Sequence, residues 1–94
     1  MKVVFTPQAN QDLLEIVRFI SQDKPRAAQN WVDTLRKSVN KLSEFPHLGR
    51  IVPEYGDDTI REIIKGQYRI VYKLDIKGKT VAVLTVHHSM RLLP

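Results

Sequence analysis

The stretch Gln67-Tyr68-Arg69-Ile70-Val71-Tyr72-Lys73-Leu74 reads as a β-strand, because aromatic and β-branched residues dominate it and neither glycine nor proline interrupts it. Lys65-Gly66 before it and Lys77-Gly78 after it are turn signals. Two further runs of period-two character, Ile60 to Ile64 and Thr80 to His88, lie beyond them. Three consecutive strands joined by tight turns predict an antiparallel sheet. With Lys77 and Gly78 as the loop pair, Tyr72 faces Val83 and Tyr68 faces His87. Tyr68, Ile70, Tyr72, Leu74, Val81 and Val83 then share the face expected to be covered. Arg69, Val71, Lys73, Ala82, Leu84, Val86 and His88 share the other. A one-residue slip in the first hairpin exchanges faces, so the side occupied by Arg61 and Glu62 stays open.

Toward the N-terminus the period changes. Lys2 to Phe5 is a short strand, closed by Thr6-Pro7, an N-cap followed by a proline at the first helical position. Ala9, Leu13, Ile16, Val17 and Ile20 recur at helical spacing through Ser21, with Asp12 and Glu15 on the wetter side. Asp23 or Lys24 caps a second helix that begins at Pro25 and runs to about Glu44, its stripe being Ala28, Trp31, Val32, Leu35, Val39 and Leu42. Trp31 is its expected anchor. Phe45-Pro46 ends it, and His47-Leu48-Gly49-Arg50 turns the chain toward Ile51-Val52. The class is α+β: an N-terminal strand, an antiparallel helix hairpin, then a three- to four-stranded mostly antiparallel sheet, in one domain over residues 1–94.

Composition narrows the chemistry. A chain of 94 residues with 43% hydrophobic content is a single ordered domain, too small for a multidomain enzyme. It has no cysteine, hence no disulfide, thiolate nucleophile or cysteine-held metal. Its apolar runs are far short of the roughly 20 residues that cross a bilayer, so no membrane role and a cytoplasmic location are expected. The net charge is +5, and residues 59–94 hold seven basic side chains against two acidic ones, placing the excess at the C-terminal end. Such a surface favours encounter with nucleic acid, a ribonucleoprotein or an acidic protein.

Arg69 is the first candidate for function. An arginine between Tyr68 and Ile70 is costly to enclose unpaired and calls for Glu62, a phosphate or a partner's carboxylate. A two-residue first loop sets Glu62 across from it. Arg61, Lys73 and Arg91 would complete a partner- or phosphate-binding patch if the faces coincide, and His88 beside Arg69 and Arg91 has the chemistry of a general acid or base. His87 and His88, adjacent on a strand, point to opposite faces, so no metal site and no cofactor are expected. Glu54, Asp57 and Asp58 read as a solvated acidic turn with some capacity to act as a base. Phosphate-loop, dinucleotide, metalloprotease and nucleophile-elbow signatures are missing, so any hydrolysis would be metal-free.

In order along the chain, Asp12-Leu13, Asp23-Lys24-Pro25, Phe45-Pro46…Gly49-Arg50, Pro53-Glu54, Ile60-Arg61-Glu62, Tyr68-Arg69-Ile70-Val71-Tyr72 and Val86-His87…Arg91-Leu92 resemble the RelE/ParE family of toxins from type II toxin-antitoxin modules. The likeness spans almost the whole chain. It implies neutralisation by a cognate antitoxin, with operator DNA bound only through that antitoxin. RelE-like members cleave messenger RNA on the 70S ribosome through a 2′,3′-cyclic phosphate. ParE-like members inhibit DNA gyrase. The resemblance puts Arg69 at the position of a phosphate-stabilising arginine and Arg61 near the basic strand of the ribonucleases, with His88 as a candidate base. Ser89 stands where those enzymes have a second arginine, and the chain stops at Pro94 without their terminal aromatic residue. Arg61-Glu62 and the His87…Arg91 ending look more like ParE-like members, which makes gyrase the expected target. A ribosome-dependent ribonuclease and an inactive relative that only binds protein are the alternatives.

Overall fold

The computed structural model describes residues 1–90. The element order is β1 (Lys2–Phe5), α1 (Pro7–Asp23), α2 (Pro25–Glu44), β2 (Arg50–Ile51), β3 (Ile60–Lys65), β4 (Tyr68–Asp75) and β5 (Thr80–His88). One sheet contains all the strands in the order β1-β5-β4-β3-β2, with β1 parallel to β5 and the other neighbours antiparallel. Both helices form a hairpin over one face of it.

Local chemistry sets the helix ends. The Thr6 hydroxyl accepts the Ala9 amide at 3.2 Å, and Pro7 occupies the first turn, where its missing N–H costs nothing. Lys24 closes α1 by donating its amide to Ile20, and Pro25 restarts the chain as α2. α2 buries Ala28, Leu35, Ser38 and Leu42 along one stripe, and the Ser38 hydroxyl satisfies itself on the Thr34 carbonyl at 3.0 Å. Together with Ala9, Leu35 and Leu42 meet Ile70, Tyr72, Leu74, Val81, Val83 and Val86 in the core, with half-buried Trp31 and Tyr68 packed on it. Each large apolar side chain enclosed this way contributes about 1.5–3 kcal/mol.

The sheet register departs from the sequence expectation in two places. Gly66, not Lys65, begins the first hairpin loop: its φ of +58° is a conformation that glycine adopts without a Cβ penalty. Lys65 therefore pairs with Tyr68, Ile64 stands opposite Arg69, and Glu62 stands opposite Val71. In the second hairpin Tyr72 faces Val83 as expected, but a β-bulge between Val71 and Tyr72 shifts the partners so that Val71 meets Thr85 and Tyr68 meets His88. Leu84 is the extra residue. The slip turns Val86 inward against the core and carries His88 to the Tyr68 side, while Thr85 and His87 move to the face of Arg69.

Candidate functional site

The charged centre of the molecule is built on β3 and β4. Glu62 and Arg69 fall on one face because of the register, and both are buried, at 1% and 8% exposure. Arg69 Nε donates to Glu62 Oε1 at 2.5 Å. Its Nη1 and Nη2 donate to the Glu54 carboxylate at 2.7 and 3.0 Å. Glu62 Oε2 takes a further bond from Arg50 Nε at 2.7 Å. The result is an alternating row, Arg50, Glu62, Arg69, Glu54, whose charges sum to zero. All three nitrogens of the Arg69 guanidinium are engaged, two of them in the planar fork that arginine makes with a carboxylate. That contact holds the Glu54 carboxyl down at about 2 and raises the guanidinium further. The mutual attraction along such a row offsets the desolvation that a lone buried charge would leave uncompensated.

Arg61 belongs to a different neighbourhood. It pairs with Tyr72, on the helix-covered side, and its Nη1 donates to the Gly49 carbonyl at 3.0 Å. The Tyr72 hydroxyl accepts the Gly49 amide at 2.9 Å and donates to the Pro46 carbonyl at 2.8 Å, fixing the turn that follows α2. Burial pushes the Tyr72 phenol up. Lys73 is exposed on the Arg69 face, and Arg91 lies outside the described residues.

His88 lines a cleft of about 670 Å³ between α1 and the ends of β4 and β5, with Asp12, Phe19, Gln67 and Met90 also among its walls. Its ring meets Tyr68 edge-on at 5.4 Å, and Tyr68 in turn meets Trp31 at 5.3 Å. The imidazole Nδ1 accepts the Met90 amide at 3.1 Å, and Nε2 lies 3.4 Å from Gln67 Oε1. Arg69 and His88, expected to share a face, therefore lie on opposite faces of β4 and β5, and Arg61 is separated from Arg69 by the same alternation. Two contributions were not read from sequence. Glu54, taken for a solvated turn, is the fork partner of Arg69; Asp12, taken for a wet helix position, accepts the Val86 amide at 3.0 Å and the Thr85 hydroxyl at 2.5 Å. Among the described residues no group of His, Asp or Glu is disposed to hold a metal ion, and no helix is long and apolar enough to cross a membrane.

This fold, two helices on one side of a five-stranded sheet closed by a parallel N-terminal strand, is that of toxins from toxin-antitoxin modules. The family model described as the ParE toxin of the type II parDE toxin-antitoxin system matches residues 3–93, and the chain belongs to that family. Similar solved structures include the chromosomal ParDE system of P. aeruginosa, at 19% identity and TM-score 0.74, covering 94% of this chain and 95% of that one. Another is the RelBE2 toxin-antitoxin complex of Mycobacterium tuberculosis, at 26% identity and TM-score 0.64, covering 93% and 95%. No curated protein matches the sequence. The protein is a toxin of the RelE/ParE type, nearer to ParE than to RelE, with a cognate antitoxin as its partner.

Proposed function

We propose that this toxin acts by inhibiting DNA gyrase, as ParE-like members of its family do, and does not cut RNA. The observation that carries the reading is the state of Arg69. In a metal-free ribonuclease an arginine must turn free N–H groups toward the phosphate in flight, beside a base on the same face. Here each Arg69 nitrogen gives a hydrogen to Glu54 or Glu62, Glu54 is itself occupied in that fork, and His88, the base expected from sequence, faces the other way. Membership of the ParE family supports the same target.

The direct test adds the purified toxin to DNA gyrase and relaxed plasmid, and in parallel to a translating extract carrying labelled mRNA. Loss of supercoiling with intact mRNA supports the proposal. Cleavage of ribosome-bound mRNA with unimpaired supercoiling would establish the ribonuclease, and activity in neither assay would make the chain a protein-binding relative.

A further inference from the structure

The chain carries a net charge of +5, and one cleft departs from that balance. The cleft between α1 and the ends of β4 and β5 is lined by Asp12 and Glu15 and, among the described residues, by no lysine or arginine. Asp12 takes its hydrogen bonds from Gln8, Thr85 and Val86, and Glu15 takes one from Gln11. All of these donors are neutral. Among the described residues neither carboxylate has a cation in ion-pair range.

The apolar side chains beside them are equally unspent. On α1, Asp12, Glu15, Ile16 and Phe19 follow one another at helical spacing and share the face turned to the cleft. Leu13 and Ile16 pack on the core, whereas Phe19 is 71% exposed and Met90, also in the cleft wall, is 86% exposed. Tyr68 lines the same space. Large apolar groups left open side by side on a small domain mark an interaction surface.

We infer that this cleft receives a basic side chain of DNA gyrase, an arginine or lysine with apolar neighbours, and is a contact of the toxin with its target. The inference rests on the gyrase reading and gives that target a place and a chemistry. Glu15 pairs with the incoming charge, and Asp12 adds to the field that draws it in. The rings of Phe19 and Tyr68 receive its cationic head, and Ile16 and Met90 cover its methylene stem. Charge selects the occupant. An enzyme that handles DNA displays arginines and lysines where it meets phosphate, and an acidic cleft matches such groups. The same carboxylates turn away the phosphates of an RNA strand.

Full-length toxin and assembled gyrase holoenzyme are titrated by calorimetry, with inhibition of supercoiling measured in parallel. Glu15→Lys reverses the charge at an exposed helix position, and Phe19→Ala removes an exposed ring. Glu44→Lys makes the same charge change at the exposed end of α2 and is the control. Circular dichroism and thermal melts establish that each variant folds, and titration with the cognate antitoxin runs alongside. The expected result is at least tenfold weaker gyrase binding for both cleft variants, about wild-type binding for the control, and unchanged antitoxin affinity in all three. Wild-type gyrase affinity in both cleft variants, from a toxin that does stop supercoiling, overturns the cleft as the contact and leaves the gyrase reading intact. So does a loss confined to antitoxin binding or to self-association. A wild-type toxin that neither binds gyrase nor slows supercoiling overturns the gyrase reading and the inference together.

Discussion

Arg69 and Glu54 are joined as a two-point fork, Nη1 to Oε2 at 2.7 Å and Nη2 to Oε1 at 3.0 Å, across 15 positions of sequence. The fork closes one side of a guanidinium whose remaining nitrogen is bound to Glu62. Arg69→Ala leaves the fully enclosed Glu62 carboxylate with Arg50 alone, an arginine whose side chain is largely in solvent. Breaking a buried pair by removing one partner costs about 3 kcal/mol. Urea denaturation is expected to show that loss, with cellular toxicity falling only as far as the amount of folded protein falls.

Acid reports on the same contact. Glu54 binds its proton less tightly in the folded protein than in the unfolded chain, its pKa lowered from 4.5 to about 2 mainly by the hydrogen bonds from Arg69. Its contribution is therefore complete above about pH 4.5 and lost as pH falls through about 2. Glu54→Gln is expected to flatten part of the stability decline across that interval while leaving the shape near neutral pH unchanged, as read by melts at successive pH values.

The Tyr72 hydroxyl ties the turn after α2 to the sheet, taking the Gly49 amide and giving its proton to Pro46. Tyr72→Phe leaves the Gly49 amide unpaired in a buried place and is expected to cost about 1–3 kcal/mol in denaturant titrations. The folded phenol also ionises less readily than the unfolded one, so wild-type stability falls as pH rises past 10 and the phenylalanine variant is spared that component. Gly49→Ala is expected to be worse tolerated than a surface change, since an added Cβ meets the Glu62 carbonyl oxygen at 2.5 Å.

Lys79 closes the second hairpin with φ at +53°, the left-handed region. A side chain held there costs about 1 kcal/mol, and Lys79→Gly is expected to recover much of it as a raised midpoint in urea.

Much of this architecture could be read from punctuation. Thr6-Pro7, Lys24-Pro25 and Phe45-Pro46 mark the helix ends, and the glycine turns at residues 66 and 78 separate the strands. The bulge was not legible. Val81-Ala82-Val83-Leu84-Thr85-Val86 is apolar at nearly every position, so no polar residue signals where the alternation slips, and that slip decides which side His88 takes. The need of Arg69 for a carboxylate was legible from its neighbours, and Glu62 was named. Glu54 was not, because it comes from an irregular loop whose path follows from the Gly49–Tyr72 tie and not from any local pattern. Asp12 escaped notice for a similar reason: its partners belong to β5, more than 70 positions away.

The target is tested most directly by pulse-labelling DNA and protein synthesis in bacteria immediately after the toxin is induced, with His88→Ala expressed at matched abundance. The account predicts that DNA synthesis falls first, with translation still running, for both proteins. An early stop in translation that His88→Ala relieves would contradict it and assign the chain to the ribosome-dependent ribonucleases.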